Sequence, residues 1–285
     1  MTVKPAPLIK EHRLDKLETC LECIDRHAFN RDKQRDCIMS VYPEKSEKSV
    51  FRGMVIPSAR HLGLIVGYGD FIRLSANAKI MLESRALGDE VHQRVVRAVL
   101  HEVDEKKFGF LRVLCAEGPA GKDAFFRLVR PEVGAPSQRQ ADERTRRWLS
   151  MLMQARLVEQ GRDDCLRIRQ PEYERTLQDV DAMLKDVVAF REYLFIAFFQ
   201  LTRGRAPLAD IADLREKVAI QMLISDERLI LTEAQFDRML ARTPFSTGDY
   251  MISLGRPMGA EEKLFEYHGK HFRTLSIRFP RKREV

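Results

Sequence analysis

The sequence predicts a mainly α fold with small β-hairpin wings. It reads as three tandem winged-helix (helix-turn-helix) modules over residues 1–86, 87–187 and 188–285. Three observations carry this prediction. Apolar residues recur at i, i+3, i+4 and i+7 along much of the chain, which is the helical period. Short helical stretches are followed by paired β-rich runs centred on glycine or joined by a longer connection. Ser, Thr, Gly and Pro sit at the joints where helices need caps or stops.

In the first module, Leu17, Leu21, Ile24 and Ala28 mark a helix over residues 14–28. A second covers 31–41 and stops before Pro43. After a charged turn, 44–48, Ser49 is the expected N-cap of a short helix over 50–56. Pro57 opens another helix, 57–62, in the position proline favours, and Gly63 closes it. Residues 64–74 place two β-rich runs around Gly67-Tyr68-Gly69-Asp70. Ser75 then caps a helix over 76–84. Two short helices meeting at a tight turn, with a hairpin at once after the second, follow the winged-helix order.

The second module begins with a long helix over 88–107, carrying Val91, Val95, Val99 and Val103, and a short apolar run at 110–115. A turn at 118–121 leads to a short helix, 122–129, and a Pro/Gly linker at 131–136. An Arg-rich helix over 138–156 precedes a hairpin around Gly161, and 170–184 is a closing helix. The third module reads as helices over 190–201, 207–215, 217–224 and 232–240, then strands over 250–254 and 272–279. Their long connection, 255–269, carries a helical turn over 260–265.

Composition is globular: 44% apolar, 32% charged, 15 Gly and 12 Pro in 285 residues. The net charge of +7 permits nucleic-acid or anionic-membrane partners. Most of that surplus lies in residues 270–285, which hold Lys270, Arg273, Arg278, Arg281, Lys282 and Arg283 against Glu284. The case for DNA therefore rests on where arginines fall in the winged pattern. No run approaches 18 apolar residues, and no apolar leader precedes residue 16, so a cytoplasmic protein without membrane contact is expected. Five scattered cysteines imply reduced thiols. Cys20 and Cys23 form a C-x-x-C near His12, His27 and Cys37. Both fall in one amphipathic helix, which favours packed free cysteines over zinc.

In a winged helix, the helix before the wing enters the major groove, and wing and helix ends hold phosphates. This nominates Lys48, Ser49, Arg52, Ser58, Arg60, His61 and Arg73 in the first module. The second offers Gln138, Arg139, Arg144, Arg146 and Arg147, with Arg162, Arg167 and Arg169 on its wing. The third offers Gln235, Arg238 and Arg242. The competing reading of such helices is a solvated face laced with i,i+4 ion pairs. Trp148, beside Leu149 and Leu152, reads as core. No catalytic, metal or cofactor residue is nominated. The strings Asp104-Glu105-Lys106-Lys107 and Glu216-Lys217 lie on helices, not on the strand a metal nuclease would use. Gly118-x-x-Gly121-Lys122 lacks the length and hydroxyl of a phosphate-binding P-loop.

Residues 49–75, SVFRGMVIPSARHLGLIVGYGDFIRLS, resemble winged-helix modules of restriction-system DNA-recognition proteins. Three consecutive modules resemble the recognition part of type IIS restriction endonucleases of the FokI kind. The resemblance implies duplex DNA reading by a non-catalytic specificity component of a restriction or phage-defence system, with a nuclease in a partner subunit. The alternatives are a protein-interaction scaffold whose winged helices pack on a partner, and a cryptic metal-dependent nuclease.

Overall fold

In the computed structural model, which describes residues 5–203, 207–257 and 263–279, the chain is mostly helical with four small antiparallel sheets. An extended segment, residues 5–13, leads into α1 (Leu14–Arg26) and α2 (Arg31–Ser40). Cys23 and Cys37 are joined by a disulfide across these two helices, with Cα atoms 5.6 Å apart. That corrects the all-reduced expectation: the helices pack side by side and bring together thiols 14 residues apart. Cys20, Cys115 and Cys165 remain free.

Residues 50–62 hold one continuous helical rod, not two helices with Ser49 at a cap. A π-helical stretch, Lys48–Val55, runs straight into α3 (Ile56–His61). Pro57 has no N–H for the carbonyl of Gly53, and its ring crowds that turn, so wider winding upstream relieves the clash. Gly53 is fitted to this: a Cβ there would stand 3.0 Å from the Lys48 carbonyl oxygen. The expected glycine stop holds, with Gly63 at φ +72°. The hairpin also forms, pairing β1 (Ile65–Val66) with β2 (Arg73–Leu74). Ser75 caps α4 (Ala76–Glu83) through the Ala78 amide.

The long α5 (Asp89–Lys107) is the central beam, buried over most of its length. After it comes a unit of α6 (Phe110–Glu117), β3 (Ala120–Gly121), α7 (Lys122–Val133), α8 (Gln138–Gln154), β4 (Val158–Gln160) and β5 (Cys165–Ile168). Its sheet has the order β3-β5-β4, pairing Ala120 with Leu166 and Val158 with Ile168. Residues 110–115, expected as a short apolar run, are the helix α6. Helix α7 continues through Pro131 where a linker was expected. Val133 is fully buried, and its carbonyl accepts the Ala6 N–H at 2.9 Å.

Helix α9 (Gln170–Met183) closes the unit, and a second unit repeats the order. It comprises α10 (Val187–Thr202), β6 (Ala209–Asp210), α11 (Ile211–Ser225), α12 (Glu233–Arg242), β7 (Met251–Gly255) and β10 (Thr274–Arg278). Its sheet order is β6-β10-β7. The hairpin of β8 (Phe265–Tyr267) and β9 (Lys270–Phe272) sits between β7 and β10 in the chain. The two helices expected over 207–224 are therefore a two-residue strand and one helix, because Ala209 pairs with Leu275 and Asp210 caps α11. The helical turn expected over 260–265 falls partly outside the described residues; Phe265 is in a strand.

The core is continuous across all these elements. Trp148 is fully buried, stacked on Phe108 with ring centroids 4.3 Å apart. Its indole N–H donates to Asp104 Oδ1 at 2.6 Å, and Asp104 also accepts the Phe110 and Leu111 amides. Asp104 thus caps α6 from the preceding helix, a structural task for a residue weighed as a nuclease carboxylate. Burial pushes its carboxyl up to about 6 although these donors oppose the shift.

Candidate nucleic-acid interface

Helix α8 starts where Ser137 accepts the Gln140 amide, and its first three residues stand in solvent. Its apolar stripe, Ala141, Trp148, Leu149 and Leu152, faces the core. The opposite side lines a groove of about 920 Å³. Gln138, Arg139, Arg146 and Arg147 line it from α8, Lys122 from the start of α7, His12 from the extended N-terminal segment, and Gln160 from the β4 end of the wing.

The acids of this groove are answered from within the protein. Glu143 holds Arg147 at 2.7 Å, and Asp142 lies 3.7 Å from Arg130. Among the described residues, Lys122, Arg139 and Arg146 have no hydrogen-bonded or ion-paired partner. A polyanion in the groove would therefore meet three exposed cations not already neutralised. The N-terminal segment forms one wall, held by Arg144 to the Ala6 carbonyl at 2.7 Å and by Arg147 to the Lys10 carbonyl at 2.8 Å.

A second depression, about 470 Å³, shares Arg147 with this groove and is lined by Lys10, Lys48 and Ser49. The π-helical start of the first region therefore adjoins α8. Arg52 is on the same stretch, 65% exposed, 3.6 Å from Glu47. Arg162 is exposed in the turn between β4 and β5.

The remaining nominees have other work. Ser58 is fully buried, and its hydroxyl accepts the Glu11 amide at 2.9 Å. Gln235 is buried at the start of α12, closing a capping box with Thr232 and donating to the Val180 carbonyl. Neither side chain reaches a surface. Arg60 donates to the Gly67 carbonyl at 2.6 Å and lies over the Tyr68 ring. The His61 side chain keeps solvent contact, yet the protein packed around it removes part of its hydration, and this desolvation, then Lys107, Arg144 and Arg60, holds its imidazole below the ordinary value. Arg73 pairs with Asp213, Arg167 with Asp163, Arg169 with Glu172 and Arg238 with Glu105. Arg242 donates to the Leu184 carbonyl.

Sequence reasoning missed Lys122, His12 and Lys10. Lys122 carried a local signal, a Gly-Pro turn leading directly into a helix; the other two join this face only because a distant segment is laid along α8. Among the described residues, no three His, Cys, Asp or Glu side chains gather as a metal site, and no helix is long and apolar enough to cross a membrane. No family model, no curated protein and no solved structure matches the chain.

Proposed function

We propose that this chain binds double-stranded DNA through the α8 face. The order α6-β3-α7-α8-β4-β5 with sheet β3-β5-β4 supports a winged-helix reading, in which the third helix lies in the major groove. The α10–β10 unit has the same order. The first region supplies helices and a two-stranded wing. The observation that carries the reading is the groove over α8, where Lys122, Arg139 and Arg146 stand without internal counterions. Gln138 and Arg139, at the exposed helix start, address base edges; these residue types match adenine and guanine donor–acceptor patterns. Arg146, Lys122 and Arg162 hold phosphates, with Lys48, Arg52 and Arg147 extending the track. By analogy with the resemblance, the chain is the specificity component of a restriction or defence system and a partner carries the chemistry.

The test is anisotropy of a labelled duplex over a salt series. Affinity should fall steeply between about 50 and 200 mM salt. Arg139→Ala with Arg146→Ala should weaken binding and flatten the slope by roughly one phosphate contact, that of Arg146. Salt-independent binding, or unchanged binding by the double variant, overturns the reading.

A second reading, a scaffold that docks a partner protein, is favoured by one observation. Ile196, Phe199 and Leu201 of α10 are 40–48% exposed, and Phe279 stacks on Phe199. Ile196→Glu with Phe199→Glu should abolish partner capture and spare DNA binding if both faces operate.

A further inference from the structure

A separate pocket of about 480 Å³ lies between the first turns of α5 and α9 and shares no residue with the α8 groove. Arg97 lines it and is only 6% exposed. A guanidinium stays charged at neutral pH, and a buried charge without a counterion is strongly disfavoured. Three carboxylates near Arg97 are each engaged by a different arginine, while Asp89, also in the lining, is exposed at the start of α5. Asp179 takes a bidentate grip from Arg94 at 2.7 and 3.0 Å, Glu172 pairs with Arg169 at 2.9 Å, and Glu90 with Arg175 at 2.8 Å. Arg97 itself makes no hydrogen bond or close ion pair among the described residues, and its Nε is sealed from solvent without a partner.

Two more polar atoms in the same lining are buried without partners, Gln93 Oε1 and Glu172 Oε2. Both are acceptors, so they call for donors beside the anion that Arg97 lacks. Arg156, exposed at the rim, supplies a second positive charge. The pattern is one anion held by Arg97 and Arg156, flanked by hydroxyl groups that donate to Glu172 and Gln93. A phosphate ester on a sugar presents that pattern, and the volume suits a nucleotide-sized molecule.

We propose that the Arg97 pocket binds a ribonucleoside monophosphate, its phosphate on Arg97 and Arg156 and its sugar hydroxyls toward Glu172 and Gln93. The test is thermal unfolding of the full chain with AMP, GMP, CMP and UMP in turn, and with inorganic phosphate and adenosine as single-component probes. At least one nucleotide should raise the midpoint by roughly 5 °C near saturation, more than either component alone. Arg97→Met, which keeps volume and removes the buried charge, should fold without ligand and lose the shift. Arg156→Gln, at an exposed position, should weaken binding about tenfold with the fold untouched. No shift with any nucleotide overturns the proposal, as does a shift that survives Arg97→Met or one equalled by inorganic phosphate. DNA binding by the α8 groove is read separately, so either result stands alone.

Discussion

The α6–β5 and α10–β10 units share one order of elements and one sheet order, yet their third helices meet opposite fates. The start of α8 stands in solvent beside a wide groove. The start of α12 is inside the molecule. Its first amides are taken by Thr232, by Asn77 Oδ1 from the first region and by Glu102 Oε2 from α5. Gln235 is buried and Arg242 is tied to the Leu184 carbonyl. Topology therefore places a third helix beside a small sheet twice, and packing buries the start of one of the two. A helix N-terminus whose donors are already satisfied by the protein has little left for a phosphate.

The sharpest way to break this contrast is to remove two arginines from each helix. Arg139→Ala with Arg146→Ala should lower duplex affinity by about 2–4 kcal/mol at low salt in an anisotropy titration. Arg238→Ala with Arg242→Ala should leave it nearly unchanged. Equal losses would mean α12 also meets DNA.

The next test concerns the buried carboxylates. Asp104 anchors α6 through neutral donors only, whereas Asp237 in the other unit is gripped by Arg215 at 2.8 and 2.9 Å. Burial pushes both carboxyls up to about 6, with Arg215 opposing it at Asp237. A raised carboxyl binds its proton more tightly in the folded state than in the unfolded one. The stability Asp104 contributes is thus complete below about pH 4 and lost as pH climbs toward 6, on the order of 3 kcal/mol. Trp148 is the only tryptophan and donates to Asp104, so intrinsic fluorescence should titrate with a midpoint near 6. Asp104→Asn should erase that titration and Asp237→Asn should leave it in place. A midpoint near 4 would contradict the burial argument.

A smaller effect separates two glutamines in comparable places. Gln235→Ala should destabilise the protein by about 1–2 kcal/mol in chemical denaturation, through loss of the capping box and the Val180 bond, without altering DNA affinity. Gln138→Ala, at an exposed position, should leave stability within about 0.5 kcal/mol and change sequence preference instead. Smallest of all, neutralising Arg281, Lys282 and Arg283 should weaken binding equally across sequences, visible only as a shallower salt slope.

Much of this architecture was legible in the chain. Pro57, Gly63, Ser75 and the hairpin glycines act locally, and local chemistry is written in adjacent residues. The two-residue strands were not legible. Ala120–Gly121 and Ala209–Asp210 are too short to show alternation and exist only because β5 and β10 lie beside them. The π-winding before Pro57 was hidden for a related reason: proline announces a break, but neighbouring packing decides whether the rod stops or widens. Half of the candidate face followed from residue type and period, as with Arg139 and Arg146 seven apart on α8. The rest did not. Ser58 and Gln235 look like surface polar residues until Glu11 and Val180, 47 and 55 residues away, occupy them.

The extended segment before α1 has a consequence for how this protein is made. Ala6 and Lys10 leave the ribosome well before their partners Arg144 and Arg147, which follow 138 and 137 residues later, and the Leu14 amide waits for Gln154, 140 residues on. At ordinary elongation rates that delay is on the order of ten seconds. Through it the Leu14 amide at the start of α1 lacks its side-chain acceptor, while the Glu11 amide already has Ser58, 47 residues on. Maturation of the first region is thus timed by synthesis of the second, and a chain cut between them would leave behind an exposed apolar seam.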